Sequence, residues 1–173
     1  MPFDKAADTQ PKTARMAPAP SVHPWLAAGL SGLGGFIAIF LLAQLSASFH
    51  AVLLIAPFGA SSVLVFAIPQ SPLAQPKNVI GGHLISAAVG LAVFALLGAT
   101  PLAFGVGVGL AIAAMQITGT LHPPAGADPI VVIAAKAAWP FLFTPVLAGA
   151  IVVVVVAFAY HKGISKRRYP DPQ

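Results

Sequence analysis

Thr120-Leu121-His122-Pro123-Pro124-Ala125-Gly126-Ala127-Asp128-Pro129 lies between two apolar stretches and decides how the rest of the chain is read. It holds a histidine, three prolines, one glycine and the only acidic residue between Asp8 and Asp171. Two consecutive prolines cannot sit inside a helix, because each lacks an N–H and its ring clashes with the preceding turn. Polar, broken backbone among membrane-type segments survives only where protein buries it or where it lines a wet cavity. This stretch is therefore the first candidate for a site.

The surroundings are those of a membrane protein. Of 173 residues, 58% are hydrophobic and 8% charged, with a mean hydropathy of +0.89. A soluble domain carries about 25% charged residues. Glutamate and cysteine are both missing, which removes disulfide and thiolate chemistry. The net charge of +5 would suit nucleic acid, but its distribution does not. Lys5, Lys12 and Arg15 precede the first apolar run, and Lys162, Lys166, Arg167 and Arg168 follow the last. Basic residues flanking spans anchor them on the cytoplasmic side. No nucleic-acid partner is expected; the bilayer is. Residues 1–24 read as a disordered cytoplasmic tail and 161–173 as a basic cytoplasmic tail, around a membrane domain over 25–160. A signal peptide is the competing reading of the start, but Trp25–Leu45 is longer than an h-region of ~7–15 residues and lacks a small-residue cleavage site.

The spacing predicts an all-α membrane protein with about six segments: Trp25–Ser46, His50–Pro69, Val79–Gly98, Pro101–Thr118, Pro129–Trp139 and Phe141–Tyr160. Four approach the ~20 residues that cross a bilayer. The second is broken by Pro57 and Gly59, and the fifth is too short. Basic clusters at both ends favour an even number of crossings, with Lys77 in the loop Gln70–Asn78 on the same side.

The two irregular segments resemble each other. Pro57-Phe58-Gly59-Ala60-Ser61-Ser62-Val63-Leu64-Val65 aligns without gaps on Pro124-Ala125-Gly126-Ala127-Asp128-Pro129-Ile130-Val131-Val132, and the register carries on into Val79–Gly82 over Val146–Gly149. Two three-segment repeats, the second upside down, follow from this alignment. Each break would then open a half-helix inside the membrane, at Ser61/Ser62 and at Asp128/Pro129, since Ser and Asp favour the N-cap and Pro the first helical position. Two such termini, each worth about half a positive charge, suit a small monovalent anion.

Leu121-His122-Pro123-Pro124-Ala125-Gly126-Ala127 resembles the signature of the HPP family of integral membrane proteins. Phe58-Gly59-Ala60-Ser61-Ser62-Val63-Leu64 is similar to that family's first motif, and so is the stretch Ser71-Pro72-Leu73-Ala74-Gln75-Pro76-Lys77-Asn78-Val79-Ile80-Gly81-Gly82-His83. The resemblance covers about residues 25–160. It implies a membrane transporter, because plastid and cyanobacterial members are associated with nitrite. It also implies a bacterial inner membrane for a chain of this look. The paired CBS domains of many bacterial relatives are not in this sequence, so the resemblance implies no nucleotide regulation through them. Family descriptions commonly count four membrane helices, against six segments here.

Candidate substrate-binding residues are Gly59, Ala60, Ser61, Ser62, Lys77, Asn78, His83, His122, Gly126, Ala127 and Asp128. Backbone N–H groups at Gly59–Ser62 and Gly126–Asp128, the two serine hydroxyls and His122 would hold the anion. His122 is an anion donor or proton carrier, or else a loop histidine bonding a freed carbonyl. Asp128 caps a helix or couples to protons. His83 follows two glycines that let another backbone approach, though a lone histidine on an apolar helix is usually a core residue. Lys77 and Asn78 would attract anions at the inner mouth, or simply sit at the membrane surface. Lys136 either snorkels or adds positive potential to the path. Gln116 and Thr118 line the path or bond between helices, while His50 and His161 read as interfacial. The glycine-rich faces Gly105–Gly109 and Gly29–Gly35 suit close packing within the chain, with a homo-oligomer interface as the other option. No catalytic residue, metal or cofactor is expected, since the histidines and the lone intramembrane aspartate have no ligand spacing.

The leading expectation is thus a small-anion transporter or channel for nitrite. The alternatives are an integral membrane enzyme using His122 and Asp128, and a structural or regulatory membrane subunit.

Overall fold

The computed structural model describes residues 23–171. The expected N-terminal tail lies almost wholly outside the described residues. Within them the chain is all-helical, with six α-helices: α1 Pro24–Phe49, α2 Pro57–Ala67, α3 Pro76–Leu97, α4 Pro101–Ile117, α5 Asp128–Ala134 and α6 Ala148–Tyr160. Prolines open α1 to α4, where the missing N–H costs nothing and the fixed φ already suits a helix. The Thr100 hydroxyl caps α4 by accepting from the Ala103 N–H at 3.2 Å.

Three stretches are long and apolar enough to cross a membrane: Pro24–Phe49, Pro76–Leu97 and the 27-residue Trp139–Ser165, which contains α6. This last stretch is kinked at Thr144, whose φ of −137° and ψ of 112° are extended. The residue before a proline is pushed toward that region, and Pro145 follows. The segment therefore starts and ends beyond the expected Phe141–Tyr160. At 17 residues α4 is at the lower limit of a span. Trp25, Phe36 and Phe40 on α1 and Leu102, Leu110 and Ile117 on α4 are exposed, the faces that lipid covers.

The two irregular segments are broken, but not in the same way. In the first, residues 51–56 lie outside any helix and α2 begins at Pro57, one turn earlier than the expected start at Ser61/Ser62. A proline at the first helical position is a stronger start signal here than the serines. In the second, a 3-10 stretch Pro123–Ala127 precedes α5, which begins at Asp128.

One face of the molecule gathers the described ends. Tyr160 Oη donates to Leu30 O at 2.6 Å, joining the end of α6 to the start of α1. The chain after α6 then folds back rather than trailing off. Arg167 donates to Ala67 O at 3.0 Å, Tyr169 Oη to Ala74 O at 3.1 Å, and the Asp171 N–H to Gln75 Oε1 at 2.8 Å. The end of α2 and the start of α3 therefore share this face, and α5 runs away from it toward Lys136 and Trp139.

Helix α3 is the spine. Its buried positions, Val79, Gly82, His83, Ser86, Ala87, Gly90, Leu91 and Val93, recur at helical spacing and are mostly small. A Cβ at Gly82 would lie 2.7 Å from His122 Cβ and 2.9 Å from Thr120 O, and one at Gly90 would lie 2.7 Å from Pro129 Cα. The segment 120–129 is seated directly on α3 by these two absences. The glycine before His83 does admit another backbone.

Candidate functional site

The seating on α3 brings side chains from four segments to one buried point. Ser61 from α2, His83 from α3 and His122 from the proline loop are fully buried, and Asp128 at the start of α5 is 1% exposed. Ser61 Oγ lies 2.8 Å from His83 Nε2 and 2.9 Å from His122 Nε2. His83 Nδ1 lies 2.7 Å from Asp128 Oδ2, and His122 Nδ1 lies 2.7 Å from Leu73 O. The result is an unbroken chain from Leu73 through His122, Ser61 and His83 to Asp128. The two imidazoles also meet edge to face, with centroids 5.1 Å apart, and Phe58 presents its ring to His83 at 5.0 Å.

Chemistry fixes part of the proton placement. A carbonyl only accepts, so His122 carries a hydrogen on Nδ1 and donates it to Leu73 O. The serine hydroxyl has one hydrogen and three neighbours able to take it: the two imidazole nitrogens and Pro57 O at 3.2 Å. Asp128 Oδ1 is buried with no partner among the described residues. The chain therefore holds a rotatable donor at its centre and an unused acceptor at one end.

The loop is held in place by ordinary bonds. Ser86 Oγ donates to Ala125 O at 2.6 Å, and Asn78 Nδ2 donates to Leu121 O at 2.9 Å. Ser86 escaped the sequence reading, though its place one helical turn after His83 on the buried stripe of α3 is a usable signal. Asn78 sits on the rim of a 440 Å³ cleft at the terminal face, lined also by Lys77, Gln75, Gly119, Pro170 and Asp171. Lys77 is exposed there. Asn78 thus links the cleft lining to Leu121, the neighbour of the buried His122.

Other expected members are elsewhere. Gly59 and Ala60 lie on the exposed side of α2. Ser62 makes no bond to the histidines; it borders a 290 Å³ groove between α1 and α2 lined also by Gly32, Gly35 and Phe36, with its Oγ buried and without a partner among the described residues. Gly126 and Ala127 are half-buried and add no side-chain bond. Several of the backbone donors expected to hold the anion are already in use. Phe58 N–H donates to Ile55 O at 3.1 Å, Gly59 N–H to Ala56 O at 3.0 Å, and Asp128 N–H to Ala125 O. Ser61 and Ser62 lie a turn inside α2, where N–H groups belong to the helix ladder. Asp128 caps nothing, because its one bonded oxygen faces His83. Lys136 is exposed beyond α5. His161, read as interfacial, is fully buried.

Comparison with known proteins adds a family and two relatives. The family profile described as "HPP, transmembrane region" matches residues 19–170. A Dictyostelium discoideum transmembrane protein is 36% identical over 154 residues, covering 82% of this chain and 50% of its own length. A second from the same organism is 41% identical over 125 residues, covering 68% of this chain and 44% of its own length. The chain spans about half the length of the curated relatives it matches. No solved structure matches it.

Proposed function

Because this chain belongs to the HPP family of integral membrane proteins, we propose that it is a transporter or channel for a small monovalent anion, nitrite first among them. The observation that carries this is the buried chain His122–Ser61–His83–Asp128 inside a membrane fold. Ionisable groups at membrane depth are expensive and mark ion or proton paths. An apolar set of similar volume would often be more stable than a buried charged pair, so stability alone does not account for it. The cleft with Lys77 and Asn78 at its rim, and Asp171 also in its lining, supplies a polar approach toward the loop. In this reading His122 and Ser61 meet the anion, and Lys77 and Asn78 gather it. Gly126, Ala127 and the α2 start shape the path when the helices part. Nitrite as the ion, both ends in the cytoplasm, a bacterial inner membrane and the inverted repeat all belong to the proposal. They rest on the resemblance, the Lys/Arg clusters and the alignment of the two broken segments.

A hydrolase reading has one point in its favour: Ser61, His83 and Asp128 are spaced like a nucleophile, base and orienting acid. The surroundings oppose it. Ser61 Oγ is fully buried and flanked by a second histidine and by Pro57 O, and the nearby backbone N–H groups are spent. An acyl-transfer site needs free donors for its oxyanion.

Purified protein in liposomes decides between these classes. Nitrite, nitrate, formate, bicarbonate and chloride are tested one by one for flux and for chemical conversion. The proposal expects nitrite to cross unchanged. Conversion without flux would establish the enzyme, and neither activity would leave a structural subunit.

A further inference from the structure

We propose that Ser61 is a proton-transfer residue and that the chain His122–Ser61–His83–Asp128 takes up one proton for each monovalent anion carried, making transport electroneutral. This rests on the transport reading above.

Start with neutral His122. Its Nδ1–H is committed to Leu73 O, so Nε2 accepts, and the Ser61 hydrogen points to it. Ser61 Oγ then accepts from His83 Nε2–H. One further proton is shared across the 2.7 Å contact between His83 Nδ1 and Asp128 Oδ2. Every bonded group is satisfied and the set carries no net charge. A second arrangement has the same number of protons. The His83 Nε2–H bond breaks as that proton joins Ser61 Oγ, and the hydroxyl's own proton passes to His122 Nε2. His122 becomes a cation, and His83 Nδ1–H donates to a carboxylate. Nothing is oxidised or reduced, and the net charge stays zero. The serine has carried a proton from one imidazole to the other without either ring moving.

A third arrangement holds one proton more. The Ser61 hydroxyl turns to Pro57 O, 3.2 Å away, and accepts from both imidazoles at once. His122 is then a cation, the His83–Asp128 pair keeps its shared proton, and the set carries one positive charge. The added proton comes from hydronium or a buffer acid in the cleft on the His122 side. The unpartnered Asp128 Oδ1 is the acceptor from which a proton passes to water on the other side. One positive charge in a low-dielectric interior is balanced by one monovalent anion and not by a divalent one. Loaded and unloaded chains therefore both cross without net charge. Among the described residues no other titratable group bonds to the chain. Helices α2 and α4 contain none, α3 adds only the exposed Lys77, and Tyr160 on α6 is bonded to Leu30 O.

The test uses the full chain in liposomes holding a pH dye, with potassium nitrite outside and the membrane potential set by potassium and valinomycin. Protein-free liposomes give the background from nitrous acid. The expected result is nitrite uptake that acidifies the interior, one proton per nitrite, at a rate indifferent to the sign of the potential. Ser61→Ala should lower this coupled uptake roughly 10²-fold, the usual worth of a positioned proton-transfer group. A second readout does not depend on transport. Ring-nitrogen NMR on histidine-labelled protein should show His83 and His122 titrating together in the wild type and separately in Ser61→Ala. Nitrite uptake that follows the potential and leaves internal pH unchanged overturns the coupling while sparing the transport reading. No nitrite uptake at either potential overturns both. Joint titration that persists in Ser61→Ala overturns the role of the serine.

Discussion

Two parts of this molecule bury histidine, and they bond it differently. His161, after α6, is as buried as His83 and His122, and it too has both ring nitrogens bonded. Its Nε2 donates to Val65 O at 3.1 Å, and its Nδ1 meets Ser165 Oγ at 2.6 Å among Phe66, Tyr160 and Tyr169. The carbonyl fixes one hydrogen and the hydroxyl supplies the other bond. A single neutral arrangement satisfies the ring, and among the described residues no carboxylate or second imidazole bonds to it. His83 and His122 meet each other through a hydroxyl and end on a carboxylate, so several arrangements satisfy them equally. Burial does not tell these two settings apart. The number of satisfied proton arrangements open to the ring's partners does.

The strongest way to break this contrast is to remove the rings in turn. His122→Phe should reduce nitrite uptake in liposomes by about 10²-fold or more. His161→Phe should leave uptake near wild type while lowering stability by about 1–3 kcal/mol, because Val65 O and Ser165 lose their partner. If both variants lose transport equally after matching for folded protein, the contrast is wrong. Asp128→Asn keeps an acceptor for His83 but cannot share a proton, so its uptake should lose the wild-type dependence on pH.

Next in size is a change of one methyl group. Gly82→Ala puts a carbon 2.7 Å from His122 Cβ, so the loop has to shift. Overpacking of this kind costs about 1–3 kcal/mol and should also impair uptake. Gly163 lies two residues from His161 with open space around it, and Gly163→Ala should change neither. Thermal unfolding in detergent checks the pair.

The smallest effect sharpens the structural side. Tyr169→Phe removes the bond to Ala74 O and should cost about 1 kcal/mol, with uptake retained. Burial also pushes the Tyr169 phenol up from its ordinary value. A phenol that ionises less readily when docked favours the folded state below the ordinary range. That contribution is lost as pH rises through the elevated value. Wild type should therefore weaken in strong alkali more steeply than Tyr169→Phe.

Much of this was legible in the sequence, and the failures have physical causes. The long spans follow from length and apolarity, and the turn between α3 and α4 was placed within a residue or two because Gly98 and Pro101 mark it. His83, His122, Asp128 and Ser61 could each be picked out as polar groups in apolar surroundings. That they join could not, because the bonds between α2 or α5 and α3 span 22 and 45 residues and only packing brings them together. The local sequence of Asp128 suggests a cap, but a distant imidazole outcompetes the local backbone. The α2 start was misplaced because two cap signals lay within one turn and the proline prevailed. His161 looked interfacial beside Lys162, yet the returning chain around Tyr169 covers it.

Gly82 and Gly90 touch the proline loop at two points about 12 Å apart along α3, one on each side of His83. A body pinned at two points on a rod can neither slide along it nor swivel about it. Helix α3, residues 120–129 and the head of α5 are therefore mechanically one piece. Helix α2 is tied to that piece near the histidines through Ser61's hydrogen bonds. If the protein opens to admit an ion, the hinge has to work between α2 and this block, and the hydroxyl proposed to carry the proton would also be the latch that lets go.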